Sequence, residues 1–276
     1  MSDRVRSQDL NARKQQGIAI VVLTCYDYPT ALWQDEVGVD VIFCADSVGT
    51  NLLGYQSEKE VTIDDMVHHL KAVRRGVKRS YLLADLPYGS CDTVEDAMGN
   101  SLRFLSLGAD GVKLEGFKPE VVCALRERKI DVWCHLGLNP QIHREKRLKA
   151  KTAQPAVTLI EQSEQLQRAG ASFLVLEAIP EEVGQIISRR LRIPTIGIAA
   201  GRHTDGQVLV VTDLFGVHDL DLRHANSLAC FRREGVRAIA QYAEDVRSRR
   251  FPGEANVFHM KAEELESLQA LLSAPR

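Results

Sequence analysis

Apolar residues in this chain gather in short runs, and the runs recur at intervals filled by amphipathic segments. Eight runs stand out as strand candidates: Ile18–Thr24, Val39–Asp46, Ser80–Asp85, Gly111–Glu115, Ile130–His135, Ser172–Glu177, Pro194–Ile198 and Gln207–Val211. Most are continuously apolar rather than alternating, as expected for parallel strands covered on both faces. The segments between them read as helices. Thr62–Arg75 opens on Thr62 with Asp64 and Asp65 in the first turn, and closes on Lys71, Arg74 and Arg75 before Gly76. The Thr hydroxyl can accept an amide the helix leaves unpaired, and the charges at each end oppose the helix dipole. Thr93–Leu107 repeats the arrangement, Ala156–Ala169 stops at Gly170, and Pro180–Leu191 begins with proline and two glutamates.

This alternation predicts a parallel α/β sheet with right-handed crossovers. Eight repeats suggest closure into a (β/α)8 TIM barrel; periodicity alone leaves an open, doubly wound sheet as the alternative. After Val211 the pattern changes. Leu228–Arg247 and Ala262–Leu272 read as extra helices, an extension beginning near residue 225 and joined by the turn-like Phe251-Pro252-Gly253. Barrels run to about 250 residues as one domain, so residues 1–276 read as a single barrel domain with a C-terminal helical extension.

Composition narrows the class. Hydrophobic residues are 45% of the chain, enough for a buried core, and charged residues are 26%, an ordinary soluble surface. A formal net charge of −2 without a long basic block draws the chain to neither nucleic acid nor an acidic membrane. Met1–Lys14 is too polar for a signal peptide or anchor, and no window nears the ~18 apolar residues of a membrane span. A cytoplasmic protein is expected. The cysteines at 25, 44, 91, 123, 134 and 230 form no CxxC pair and read as reduced thiols. Cys25, Cys44, Cys123 and Cys134 lie in or beside apolar runs and are expected to be buried.

What ends the strands carries the chemistry. Five consecutive candidates run into an ionisable group: Asp46, Asp85, Lys113 with Glu115, His135, and Glu177. A single such residue is most simply a helix cap or a solvated loop residue. In a barrel, however, all five ends meet at one mouth, where catalysis takes place. Converging carboxylates repel one another unless protonated, paired with Lys113, or bridged by a cation. Asp46 and Asp85, with water and substrate completing the shell, describe a Mg2+-type site. Lys113 and Glu115 are two apart, so they face one side while Leu114 faces the other. That pair reads either as part of the mouth or as a buried structural ion pair. Glu177 follows four apolar residues, a setting that suits a general acid or base. His135 beside Cys134 reads as one inward and one outward residue. Gly197–Gly201 follows a strand but lacks the spacing of a Walker A loop, and Gly-x-Gly-x-x-Gly and Gly-x-Ser-x-Gly are absent.

These residues stand in a recognisable order. Asp46-Ser47-Val48-Gly49, Val61–Met66, Ala84-Asp85-Leu86-Pro87-Tyr88, Val112–Gly116, His135–Gln141, Leu174–Glu177 and Asp205–Val210 resemble the ketopantoate hydroxymethyltransferase (3-methyl-2-oxobutanoate hydroxymethyltransferase) family. Leu23–Pro29 and Phe251–Glu254 also fit, and the matches span about residues 18 to 258. The resemblance implies a metal-dependent barrel of the phosphoenolpyruvate/pyruvate superfamily type. It implies transfer of a one-carbon unit from 5,10-methylenetetrahydrofolate to 3-methyl-2-oxobutanoate, giving 2-dehydropantoate for pantothenate and coenzyme A synthesis. By resemblance, Asp46 and Asp85 are Mg2+ ligands and Glu115 supports the metal through water. Ser47, Asp85 and Lys113 bind the 2-oxo acid with His135 nearby, and Glu177 removes the C3 proton. A homo-oligomer, specifically a decamer, is implied too. Four segments depart from the family pattern: 54–57, 142–155, 199–200 and 220–231. They keep a second reading open, the same enolate chemistry on another 2-oxo acid, as an aldolase, lyase or hydroxymethyltransferase of a specialised pathway. A third is a barrel that has kept its fold and lost catalysis.

Overall fold

Each strand of the sheet is hydrogen-bonded on both edges, which leaves no free edge to protect. A computed structural model describes residues 4–142, 147–218 and 225–274. Its strands are β1 (Ile20–Thr24), β2 (Val41–Cys44), β3 (Tyr81–Asp85), β4 (Gly111–Glu115), β5 (Asp131–Gly137), β6 (Phe173–Glu177), β7 (Thr195–Ile198) and β8 (Gly206–Leu209). They pair in chain order, all parallel, and β8 closes on β1. The expected (β/α)8 barrel is therefore what forms, and the open sheet is excluded.

Strand parity decides what faces inward. The register sets Lys113 beside Asp85 and Trp133, Glu115 beside His135, and Trp133 beside Phe173. Trp133 and Phe173 stack at 4.1 Å between centroids, with Tyr81 6.0 Å from Trp133, and fill the lower barrel. The polar residues form the layer above. Leu114 and Cys134 point the other way and are fully buried under the helices.

The helices are α1 (Ser7–Gln16), α2 (Tyr28–Val37), α3 (Ile63–Gly76), α4 (Val94–Ser106), α5 (Pro119–Glu127), α6 (Ala153–Ala169), α7 (Glu181–Arg190), α8 (Val211–Phe215), α9 (Phe231–Arg247) and α10 (Ala262–Ser273). The caps act as expected. Asp65 N–H donates to Thr62 Oγ1 (3.1 Å) while Thr62 N–H donates to Asp65 Oδ2 (2.9 Å), a reciprocal box. Gly76 is the last residue of α3 rather than its stop. A Cβ there meets Ala31 Cβ at 2.6 Å and the Tyr28 carbonyl at 2.9 Å, so α2 lies against bare backbone.

Four expectations need correction. No helix separates β7 from β8; residues 199–205 return directly. Asp205 holds that return by accepting from Thr195 N–H (2.7 Å), Thr195 Oγ1 (2.8 Å) and Lys14 Nζ (2.7 Å). Val211 opens α8 instead of ending β8, because its amide turns to donate to Thr24 Oγ1 (2.9 Å). Leu228 to Cys230 precede α9 rather than forming its first turn. Cys123 is exposed, since Val121, Val122 and Leu125 are the buried face of α5. The described cysteines are all free thiols, and Cys25, Cys44, Cys91 and Cys134 are buried. Of the altered segments, residues 143–146 and 220–224 lie outside the described residues.

The outer wall is incomplete at β1 and β8. Val21 points outward and is 52% exposed, beside the exposed Gln207. Meanwhile α9 and α10 bury none of their residues. No helix among the described residues is long and apolar enough to cross a membrane.

The α2–α3 contact gives a prediction. Alanine is favoured over glycine within a helix by about 1 kcal/mol, but overpacking costs about 1–3 kcal/mol. Gly76→Ala is expected to lower stability by about 1 kcal/mol net, seen as a reduced denaturant midpoint with unchanged slope. A stabilised variant would refute the close packing.

Candidate active site

The barrel mouth opens into a cavity of about 440 Å³ lined by Asp46, Ser47, Asp85, Lys113, His135 and Glu177 among others. All seven residues singled out in the sequence reach it, Glu115 being the seventh. Lys113 stands at its centre. Its Nζ donates to Asp85 Oδ1 (2.9 Å), Asp85 Oδ2 (3.0 Å) and Glu115 Oε1 (3.4 Å), and lies 5.4 Å from the Phe43 ring centroid. Glu115 Oε1 also meets His135 Nδ1 at 3.1 Å. His135 Nε2 is 3.3 Å from Glu177 Oε2, but its alignment makes no hydrogen bond, and the ring nitrogen is buried without a partner.

Backbone geometry places Glu177. Gly137, directly across from it in the register, has φ +97. The bare Gly137 backbone lets the Glu177 carbonyl come close and accept Leu138 N–H (2.8 Å). A side chain at 137 would push β6 away from His135.

The cluster holds more acid than base. Burial alone opposes the Lys113 charge, but Asp85, Glu115 and Asp46 outweigh it and raise its pKa above the ordinary lysine value. Burial also raises Glu115, yet Lys113 and His135 prevail and hold it at about 2. His135 is lowered by burial and lifted more strongly by Glu115, to about 9. Asp46 is the uncompensated member: burial, then the Asp85 charge, push it well above the usual carboxylate range. Its direct support is neutral, from Gln141 Nε2 donating to Asp46 Oδ2 (2.7 Å). Among the described residues no group of three or more His, Cys, Asp or Glu side chains encloses an ion by itself.

The family model for ketopantoate hydroxymethyltransferase matches residues 4–254. This chain belongs to that family. Relatives named 3-methyl-2-oxobutanoate hydroxymethyltransferase include one from Deinococcus radiodurans, 44% identical over 91% of this chain and 92% of its own length. Another, from Bacillus thuringiensis, is 41% identical over 94% and 96%. With one name and near-complete coverage, neither a divergent acceptor nor a non-catalytic barrel is favoured. Solved structures of like fold include a phosphonopyruvate hydrolase in complex with oxalate and Mg++ (TM-score 0.62, 12% identity, 97% of this chain, 96% of that one). A 2,3-dimethylmalate lyase, described as a member of the PEP mutase/isocitrate lyase superfamily, scores 0.57 at 11% identity, covering 97% and 99%. At such identity they speak for the barrel alone.

Gln141 lies within the His135–Gln141 motif, and no role follows for it from the sequence. Besides Asp46, its Nε2 reaches the Leu86 carbonyl (3.1 Å), and its backbone N–H donates to Glu115 Oε2 (3.1 Å). It ties together the ends of β2, β3 and β4. A neutral amide in a loop has no charge or period to mark it. Gln141→Leu is expected to cost about 1–3 kcal/mol by leaving a buried carboxylate short of a donor. Chemical denaturation at neutral pH measures it, and a neutral result would refute the support role.

Proposed function

We propose that this enzyme transfers a hydroxymethyl group from 5,10-methylenetetrahydrofolate to 3-methyl-2-oxobutanoate, giving 2-dehydropantoate for pantothenate and coenzyme A synthesis in the cytoplasm. The observation that carries the reading is the acid-rich cluster at the mouth of a barrel belonging to this family. The donor set fits a divalent cation: hard oxygen ligands, buried, with more negative charge than Lys113 and His135 balance. Asp46 and Asp85 would hold Mg2+, and Glu115 would support it. When bound, the metal supplies Lewis-acid stabilisation of charge developing on the substrate's keto oxygen.

The chain's own residues do the rest. Ser47 and Lys113 bind the substrate carboxylate, and Asp85 meets the substrate through Lys113 and the cation rather than by direct contact with that anion. Lys113 has three protons and three acceptor oxygens here, two on Asp85 and one on Glu115, so it reaches substrate by letting go of one of those oxygens. Glu177 takes the C3 proton, and the C3–H electron pair moves into the C2–C3 bond. The enolate C3 then bonds to the one-carbon unit: the methylene carbon's two C–N bonds are exchanged for the new C–C bond and a C–O bond to water, and the folate nitrogens take up protons and leave as tetrahydrofolate. His135, fixed by Glu115, sets its Nε2 3.3 Å from Glu177 Oε2. Apolar walls such as Val175, Ile198 and Val208 limit water around the reacting carbon.

Two measurements test the chemistry together. In heavy water the enzyme with Mg2+ should exchange the C3 proton of 3-methyl-2-oxobutanoate, and with methylenetetrahydrofolate it should form product. Glu177→Gln should slow exchange on the order of 10²–10⁴-fold, and a chelator should suppress it. Failure to hydroxymethylate any branched 2-oxo acid would end this reading.

The reading includes a homo-oligomer, a decamer by family resemblance. Its physical support is the apolar stripe of α9, where Val236, Ile239 and Tyr242 are 59%, 70% and 58% exposed, alongside the uncovered β1–β8 wall. Sedimentation should find an assembly that Ile239→Glu dissociates; a monomeric wild type at micromolar concentration would oppose it.

A further inference from the structure

Behind Ser47 runs a line of hydroxyls that the roles above leave unused. Val211 N–H donates to Thr24 Oγ1 (2.9 Å), Thr24 Oγ1 donates to Tyr26 Oη (3.0 Å), and Tyr26 Oη lies 2.8 Å from Ser47 Oγ. Tyr26 is 1% exposed and Thr24 is 3% exposed, so water does not compete for these bonds. The Thr24 end sets the direction of the line. Thr24 Oγ1 accepts from the Val211 amide and gives its single proton to Tyr26 Oη. Among the described residues Ser47 Oγ is then the partner left to accept the phenol's own proton. The Ser47 hydrogen is then left for whatever the cavity holds.

We propose that Tyr26 is a positioning residue that makes Ser47 a hydrogen-bond donor toward the substrate carboxylate, with Thr24 and the Val211 amide setting the polarity. The proposal rests on the reading that Ser47 binds that carboxylate. In the reversed arrangement Ser47 would spend its proton on Tyr26 and turn lone pairs toward an anion. Donor orientation is worth most where the acceptor is charged and the surroundings are dry. The line also explains why Val211 leaves strand geometry as soon as β8 ends. Its amide is the anchor of the series, and β8 and α8 thereby bear on a residue two strands away.

Steady-state kinetics of the full-length enzyme with 3-methyl-2-oxobutanoate test this, using Ser47→Ala, Tyr26→Phe, Thr24→Val and the double variant Tyr26→Phe/Ser47→Ala. Ser47→Ala is expected to raise KM about tenfold or more, the scale of a hydrogen bond to a charged group. Tyr26→Phe should raise KM about fivefold with kcat within about a factor of two, the pattern of lost ground-state binding. In the Ser47→Ala background it should add nothing, because its effect passes through that hydroxyl. Thr24→Val should raise KM less, and likewise only when Ser47 is present; it serves if Tyr26→Phe fails to fold. An unchanged KM in both variants, or an equal rise with and without Ser47, would overturn the proposal, since a packing role does not depend on that hydroxyl. If Ser47→Ala itself leaves KM unchanged, the carboxylate reading of Ser47 falls, and that outcome is distinct from an effect of Ser47 without one of Tyr26.

Discussion

The buried ammonium of Lys113 is the constraint on which the mouth of this barrel depends. Two unit charges 3 Å apart attract by roughly 5 kcal/mol at an effective dielectric near 20, while desolvating each ion costs several kcal/mol. Those terms nearly cancel for one pair, so Lys113 and Asp85 alone add little to stability. Glu115 and Asp46 change the balance, because each adds a buried acid against the same cation. A cluster built for stability would replace these groups with packed apolar side chains. This one retains them at the C-terminal end of the strands, directly above an aromatic plug that needs no charge. The division matches a barrel's general economy, with packing below and chemistry above.

Much of this was legible in the sequence, for a geometric reason. A parallel strand buried on both faces is continuously apolar, so the residue that breaks the run marks the barrel rim. Parity then gives direction: Lys113 and Glu115 inward, Leu114 outward, His135 inward, Cys134 outward, all as found. What escaped depends on contacts between distant segments. The β7–β8 return needs no helix because Asp205 ties it to Thr195 and Lys14, and no local pattern announces that tie. Gln141 and Tyr26 are neutral and aperiodic, and their positions become meaningful only when the strands converge. Cys123 misled because an apolar neighbourhood in sequence is not one face of a helix.

The segments that depart from the family pattern follow the same logic. Around 54–57 the chain folds largely on itself: Glu60 Oε1 accepts the amides of Gln56 and Ser57, and Gly54 closes the Gly49–Leu53 turn at φ +73. Ala199 takes φ +51, a left-handed setting that glycine adopts without cost. Phe231 stacks on Phe215 at 4.6 Å between centroids. None of these contacts touches the charged cluster. Two other departing segments bond to the rest of the barrel: Lys149 N–H donates to the Ala178 carbonyl (2.8 Å), and Ile179 N–H donates to the Ala199 carbonyl (3.2 Å).

Strand β1 connects the two unfinished features of the molecule. Its outward side presents Val21 to solvent on the uncovered wall, and its inward side carries Thr24, the acceptor of the Val211 amide. Period-two geometry makes these opposite faces of a single five-residue strand. Covering the wall with an apolar helix removes water from one face and holds the strand that carries Thr24 on the other. Burying a side chain the size of Val21 contributes about 1.5–3 kcal/mol, comparable to the hydrogen bonds it would steady. In this architecture the uncovered outer wall and the hydroxyl line behind Ser47 share one backbone.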